Sequence, residues 1–81
     1  MIATETIREV MKRKEVKPSL LASRLRIKNN VLSERLSQRN ISVNKMDEML
    51  RVLGYKIMVV PEGFPVPEAC FEISSSQEGE P

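Results

Sequence analysis

"LLASRLRIKNNVLSERL", Leu20–Leu36, decides how the rest of the chain is read. Leucines stand at 20, 21, 25, 32 and 36, with a small Ala22 and a polar "RIKNN" between two apolar runs. Leu21, Ala22 and Leu25 share one helical face, and Leu32 and Leu36 lie four apart. The spacing therefore predicts two short helices, one from about Pro18 to Leu25 and one from near Asn29 to about Gln38. Pro18 suits the first turn of the earlier helix, where its missing N–H is not needed. Asn competes with the helix by bonding nearby backbone, so "RIKNN" marks the break.

With so few residues between them, the two helices must cross steeply. Ala22 lets their backbones approach, and Leu25, Ile27, Leu32 and Leu36 supply the wedge that fixes the angle. This is a helix-turn-helix arrangement, whose second helix can enter a DNA major groove about 12 Å wide. An ordinary helical hairpin with a basic exterior fits the same spacing.

Upstream, "TETIREVMKRKEV" has Ile7, Val10 and Met11 on one stripe and charges elsewhere, an amphipathic helix ending near Lys14. Thr4 or Thr6 is its expected N-cap, and Thr6 with Glu9 fits a capping box. Downstream, "QRNIS" is a polar connector. Ser42 is placed to cap a fourth helix whose inward stripe is Val43, Met46, Leu50 and Leu53, with Met49 beside it. Gly54 then serves as its C′ residue.

After Gly54 the composition changes. "YKIMVV" is apolar and β-branched, a strand pattern, and "PEGFPVP" is a turn or extended loop. "ACFEI" is a candidate second short strand. "SSSQEGEP" is polar and acidic, with disorder expected. The expected division is residues 1–54 as a helical DNA-binding domain, 55–73 as a β-strand or hairpin dimerisation segment, and 74–81 as a disordered acidic tail.

A formal charge of +2 conceals two unlike parts: residues 1–60 carry all 13 Lys and Arg against six acidic residues, a net +7, and residues 61–81 carry five Glu and no cation. The tail could shield a sheet edge or compete with DNA for the basic face; a solubilising end is the plainer expectation. One cysteine and no histidine exclude a disulfide within one chain and the usual zinc ligand sets. No cofactor, metal or small-molecule ligand is expected. Without His, a Gly-rich phosphate loop or a carboxylate pair in an evident cleft, enzymatic chemistry is a poor reading. Cys70 is expected to be a small buried apolar residue. No window approaches the roughly 18 apolar residues of a membrane span, so a soluble cytoplasmic protein is expected.

"SLLASRLRIKNNVLSERLSQRN", followed by "SVNKMDEMLRVLGYKIMVVP", resembles the Cro and lambda-repressor type of helix-turn-helix protein, also called the Xre family. The resemblance spans roughly Ile2 to Pro61 and rests on the Leu-Ala pair, the four-helix spacing and the "LGYKIMVVP" ending. It is similar to the small single-domain members in which a strand after the helices joins two subunits. It implies a mainly α fold, a four-helix lambda-repressor-like domain followed by a β-strand or β-hairpin that pairs across a dimer. In one respect the chain departs: Arg26 stands where the family usually has Gly between helices 2 and 3, and a non-Gly residue is strained there if the backbone is left-handed.

The resemblance places base-reading side chains at the start and outer face of helix 3: Lys28, Asn29, Asn30, Ser33, Glu34 and Ser37. The chemistry agrees, since Asn can pair bidentately with adenine, Ser is permissive and Glu can accept from cytosine N4. Blander roles compete. Asn29 could simply cap helix 3, Asn30 could be a solvated amide, and Glu34 could pair with Arg35 or Lys28. Phosphate contacts are expected from Ser19, Arg39, Asn40 and Lys45, holding register without reading sequence; any one cation could equally be a solvated charge.

A single recognition helix reads few base pairs, so a homodimer on an inverted repeat is expected, with half-sites about 34 Å apart. Tyr55, Ile57, Met58, Val59 and Val60 are the expected dimerisation residues, because a lone strand leaves backbone groups unpaired. An intramolecular hairpin with "ACFEI" is the alternative, and both pairings can coexist. The function these features imply is a sequence-specific double-stranded DNA-binding regulator of bacterial or phage type, most simply a repressor. The alternative is a protein-interaction module on the same body, such as an antitoxin, an anti-CRISPR-like inhibitor or an adaptor.

Overall fold

The computed structural model describes residues 2–73 and is mainly helical. Its helices are α1 (Ala3–Lys14), α2 (Pro18–Leu25), α3 (Asn29–Ser37) and α4 (Val43–Val52). Helices α2 and α3 pack on each other, and α1 and α4 close the remaining sides. Ile7, Val10 and Met11 of α1, Leu21 and Ala22 of α2, Leu32 and Leu36 of α3, and Met46, Met49, Leu50 and Leu53 in and after α4 form one buried core. Leu25 and Ile27 sit half-buried against it, as a wedge at the α2–α3 crossing should. No helix among the described residues is long and apolar enough to cross a membrane.

Three of the four helices end in the same way. Val16 N–H donates to Met11 C=O, Ile27 N–H to Ala22 C=O and Tyr55 N–H to Leu50 C=O, at 2.8–3.0 Å, each reaching back across a left-handed residue. Companion bonds run from Glu15, Arg26 and Gly54 to the carbonyls of Lys12, Ser23 and Arg51. This is the Schellman closure, which satisfies carbonyls that the helix leaves orphaned. Gly54 takes its position (φ +87°) without steric cost, as the sequence implies, but Glu15 (φ 55°) and Arg26 (φ 61°) adopt it with a Cβ. The turn between α2 and α3 thus keeps the left-handed conformation despite the missing glycine.

Several expectations need correction. Helix α1 starts before the anticipated Thr6–Glu9 box: Ile2 occupies the cap, its N–H donates to the Glu5 carboxylate at 3.3 Å, and the Thr6 hydroxyl donates to Ile2 C=O at 3.0 Å. Thr4 and Thr6 are buried inside the helix, and neither caps it. Val43 is not in the inward stripe. It is 68% exposed because it is the first residue of α4, beyond the reach of the other helices, and Met49 fills the stripe instead. Cys70 is exposed, because it closes a surface turn in which its N–H donates to Pro67 C=O.

Beyond Gly54 no strand forms among the described residues, and no ladder joins "YKIMVV" to "ACFEI". The second segment docks by a side chain instead. Phe71 lies 6.3 Å from Tyr55, centroid to centroid, and the Arg13 guanidinium sits 4.6 Å from the centre of the Phe71 ring. The disorder expected of residues 74–81 lies outside the described residues.

Candidate nucleic-acid interface

The six nominated residues on and before α3 are all exposed. At 3.6 residues per turn, Asn29, Ser33, Ser37, Asn30 and Glu34 occupy a continuous arc of about 140°, bordered on one edge by Leu36 and Leu32 and facing away from Val31 and Arg35. Burial follows the same division: the two leucines are buried, and Val31 and Arg35, on the flank between, are half-buried. Helix α3 therefore presents an uninterrupted polar face, and the rest of its circumference is buried or half-buried.

Local geometry bears on two of the competing roles. Lys28, not Asn29, takes the capping position of α3, with φ −77° and ψ 154° and no side-chain cap bond. Asn29 is the first helical residue, and its amide does not cap. Arg35 does not turn to Glu34 but to Glu48 of α4, Nη1 to Oε1 at 3.6 Å. That Nη1 is buried without a hydrogen-bond partner, so the contact is one of charge that ties the flank of α3 to α4. The Ser37 hydroxyl donates to Glu34 C=O at 2.8 Å, which occupies its proton and leaves it an acceptor. The far end of α3 is also anchored, since Arg8 Nη2 donates to Leu36 C=O at 2.9 Å.

The rim positions Ser19, Arg39, Asn40 and Lys45 are exposed as well. Ser19 is the second residue of α2. The amides of Leu20 and Leu21 both donate to Lys17 C=O, so the Ser19 N–H and hydroxyl are the donors at that end. Lys45 lies in the first turn of α4, where its N–H donates to the Ser42 hydroxyl at 3.1 Å, the cap the sequence implies.

Sequence reasoning missed one electrostatic feature. Both α2 and α3 start from a lysine cap, Lys17 and Lys28, and neither has an acid in its first turn. A helix N-terminus carries a partial positive charge that an acidic residue ordinarily offsets, as Glu5 does in α1. Here the cation adds to the dipole, producing two positive helix ends. The signal was present in the sequence, but only an exact helix start assigns each lysine to a cap.

The residues expected to dimerise divide in two. Tyr55 and Ile57 are half-buried against the core of their own chain, whereas Met58, Val59 and Val60 are exposed.

No protein-family model, curated protein or solved structure matches the chain.

Proposed function

We propose that the chain is a sequence-specific double-stranded DNA-binding regulator of bacterial or phage type, most simply a repressor, that works as a homodimer with α3 in the major groove. The observation that carries this reading is the exposed polar arc of α3, bordered by the buried Leu32 and Leu36 and lying beside two lysine-capped helix ends. Phosphates favour positive helix N-termini, and an exposed amide-, hydroxyl- and carboxylate-bearing helix has the donors and acceptors to read base edges. In this scheme Lys28, Asn29, Asn30, Ser33 and Glu34 face the bases, with Ser37 as an acceptor. Ser19, Arg39, Asn40 and Lys45 hold the backbone. The extended segment after Gly54 pairs across the dimer, which supplies the strand partner that one chain lacks.

Selection of binders from a random duplex pool by the purified protein tests the proposal. The expected result is an inverted repeat with half-sites about one helical turn apart, bound with an affinity that falls steeply with salt as counterions are released. Recovery of no motif, together with binding indifferent to salt, would refute it and favour a protein partner for the α3 face.

A further inference from the structure

Helix α3 carries the polar arc, yet its own ends hold it less firmly than those of the other described helices. At its start Lys28 makes no side-chain cap bond, whereas the Glu5 carboxylate accepts from Ile2 N–H at α1 and the Ser42 hydroxyl caps α4. At its finish Gln38 is extended (φ −81°, ψ 147°), so the left-handed closure that ends α1, α2 and α4 is missing. Other donors take the last carbonyls of α3 instead. The Ser37 hydroxyl serves Glu34 and the Gln38 N–H serves Arg35, both from within the segment. Leu36 C=O is served from a distance, by Arg8 Nη2 of α1 at 2.9 Å.

Arg35 forms a second long-range tie. It lies on the side of α3 turned away from the polar arc, only 18% of its side chain is exposed, and Nη1 is buried 3.6 Å from Glu48 Oε1 without a hydrogen-bond partner. Taking a cation out of water for one loose contact is a poor source of stability, because desolvation offsets much of the Coulomb gain. A pair of this kind is better suited to selecting one arrangement of two helices than to strengthening it. The two arginines thus tie the last turn of α3 to α1 and to α4.

We infer that Arg8 and Arg35 are positioning residues: they set the roll of α3, and with it the aim of Asn29, Asn30, Ser33 and Glu34, without contacting the nucleic acid themselves. This rests on the DNA reading proposed above and adds how the reading helix is aimed. A side-chain atom about 6 Å from the helix axis travels about 1.5 Å in a roll of about 15°. The donor–acceptor distances of a hydrogen bond span only about 0.5 Å, so such a roll breaks the bidentate pairs with base edges. Each pair supplies roughly tenfold discrimination or more. Ser19 and Lys45 stand on α2 and α4, so backbone contacts from them survive the roll.

Arg35→Met keeps an apolar stem and leaves the exposed Glu48 in water. It is expected to leave the urea midpoint unchanged or raised, since an apolar side chain replaces a desolvated charge. The ratio of operator to random-duplex affinity should fall about tenfold, with random-duplex binding kept within about twofold. Glu48→Gln, altered at the exposed end of the pair, should lower the same ratio by a smaller factor. Arg8→Met should lower it too, and Arg8→Lys, which keeps a donor, should recover most of the loss. Without DNA, residual dipolar couplings of the backbone amides should show α3 in Arg35→Met turned by about 10–20° relative to α1 and α4.

Lost stability with unchanged discrimination makes these arginines ordinary packing and overturns the inference, as does an unmoved α3. Equal losses on operator and random duplex make them phosphate contacts and overturn it as well. A wild-type protein that selects no motif refutes the DNA reading, and the dipolar couplings still decide whether the arginines seat α3. A selected motif with α3 unmoved in Arg35→Met removes the positioning role and leaves the DNA reading in place.

Discussion

Replacing Arg26 by glycine should make this protein more stable. Arg26 is held at φ 61° by two hydrogen bonds, its own N–H to Ser23 C=O at 3.1 Å and Ile27 N–H to Ala22 C=O at 3.0 Å. A left-handed conformation costs a residue with a Cβ about 1–2 kcal/mol. Glycine removes that cost but gives the unfolded chain more freedom, a loss of about 0.5–1 kcal/mol. The difference favours Arg26→Gly by about 0.5–1 kcal/mol, or roughly 2–8 °C in melting temperature for a domain of this size.

Urea unfolding at one fixed protein concentration, which holds any contribution from association constant, should show a higher midpoint with an unchanged slope. Two companions isolate the cause. Glu15→Gly, at the same conformation behind α1, should gain a similar amount, whereas Arg26→Ala, which removes the guanidinium but keeps a Cβ, should gain nothing. If Arg26→Gly is neutral or destabilising, or Arg26→Ala gains as much, backbone strain at this turn is not what Arg26 contributes and the reasoning fails.

Other expectations follow from the same geometry. Asn30→Ala should weaken binding to a selected operator by about 1–3 kcal/mol while sparing random DNA, and Arg39→Ala should weaken both alike; titration of each variant against both duplexes separates base reading from backbone contact. Leu32→Ala, which empties a fully buried position behind the polar arc, should cost about 2–5 kcal/mol by urea melting, a large part of what a small domain has. Ser42→Ala removes the 3.1 Å cap bond to Lys45 and should cost about 1 kcal/mol in the same assay. Hydrogen exchange should show its loss concentrated in the first turn of α4.

The segments that could be read in advance are those whose causes are local. Pro18, Ser42 and Gly54 act on the backbone within a few residues of themselves, and the leucine spacing specifies an apolar face wherever the helix ends up. Four helices and their core stripe follow from such signals, as does the polar arc of α3, which is the part of that helix left over once Leu32 and Leu36 are buried. The start of α1 escaped because Ile2 offers no side-chain cap, and the Glu5 carboxylate that bonds its N–H forms only half of a box.

Tertiary structure decided whatever depends on a neighbour distant in sequence. Arg26 accepts a left-handed backbone because α2 and α3 can pack only across that turn. Arg35 finds Glu48 rather than the adjacent Glu34 because α4 lies against its flank. Val43 is exposed although it continues an apolar stripe, since the stripe outruns the helices that would cover it. Tyr55 and Ile57 face their own core and Val59 does not, because the body ends between them. Phe71 beneath Arg13 is a contact across most of the chain. Composition and periodicity thus determine the helices, their buried faces and the chemistry left outside, because these depend on short-range backbone bonding and the cost of exposing apolar surface. Which exposed residue meets which partner depends on where separate elements stop, and only the packed fold contains that.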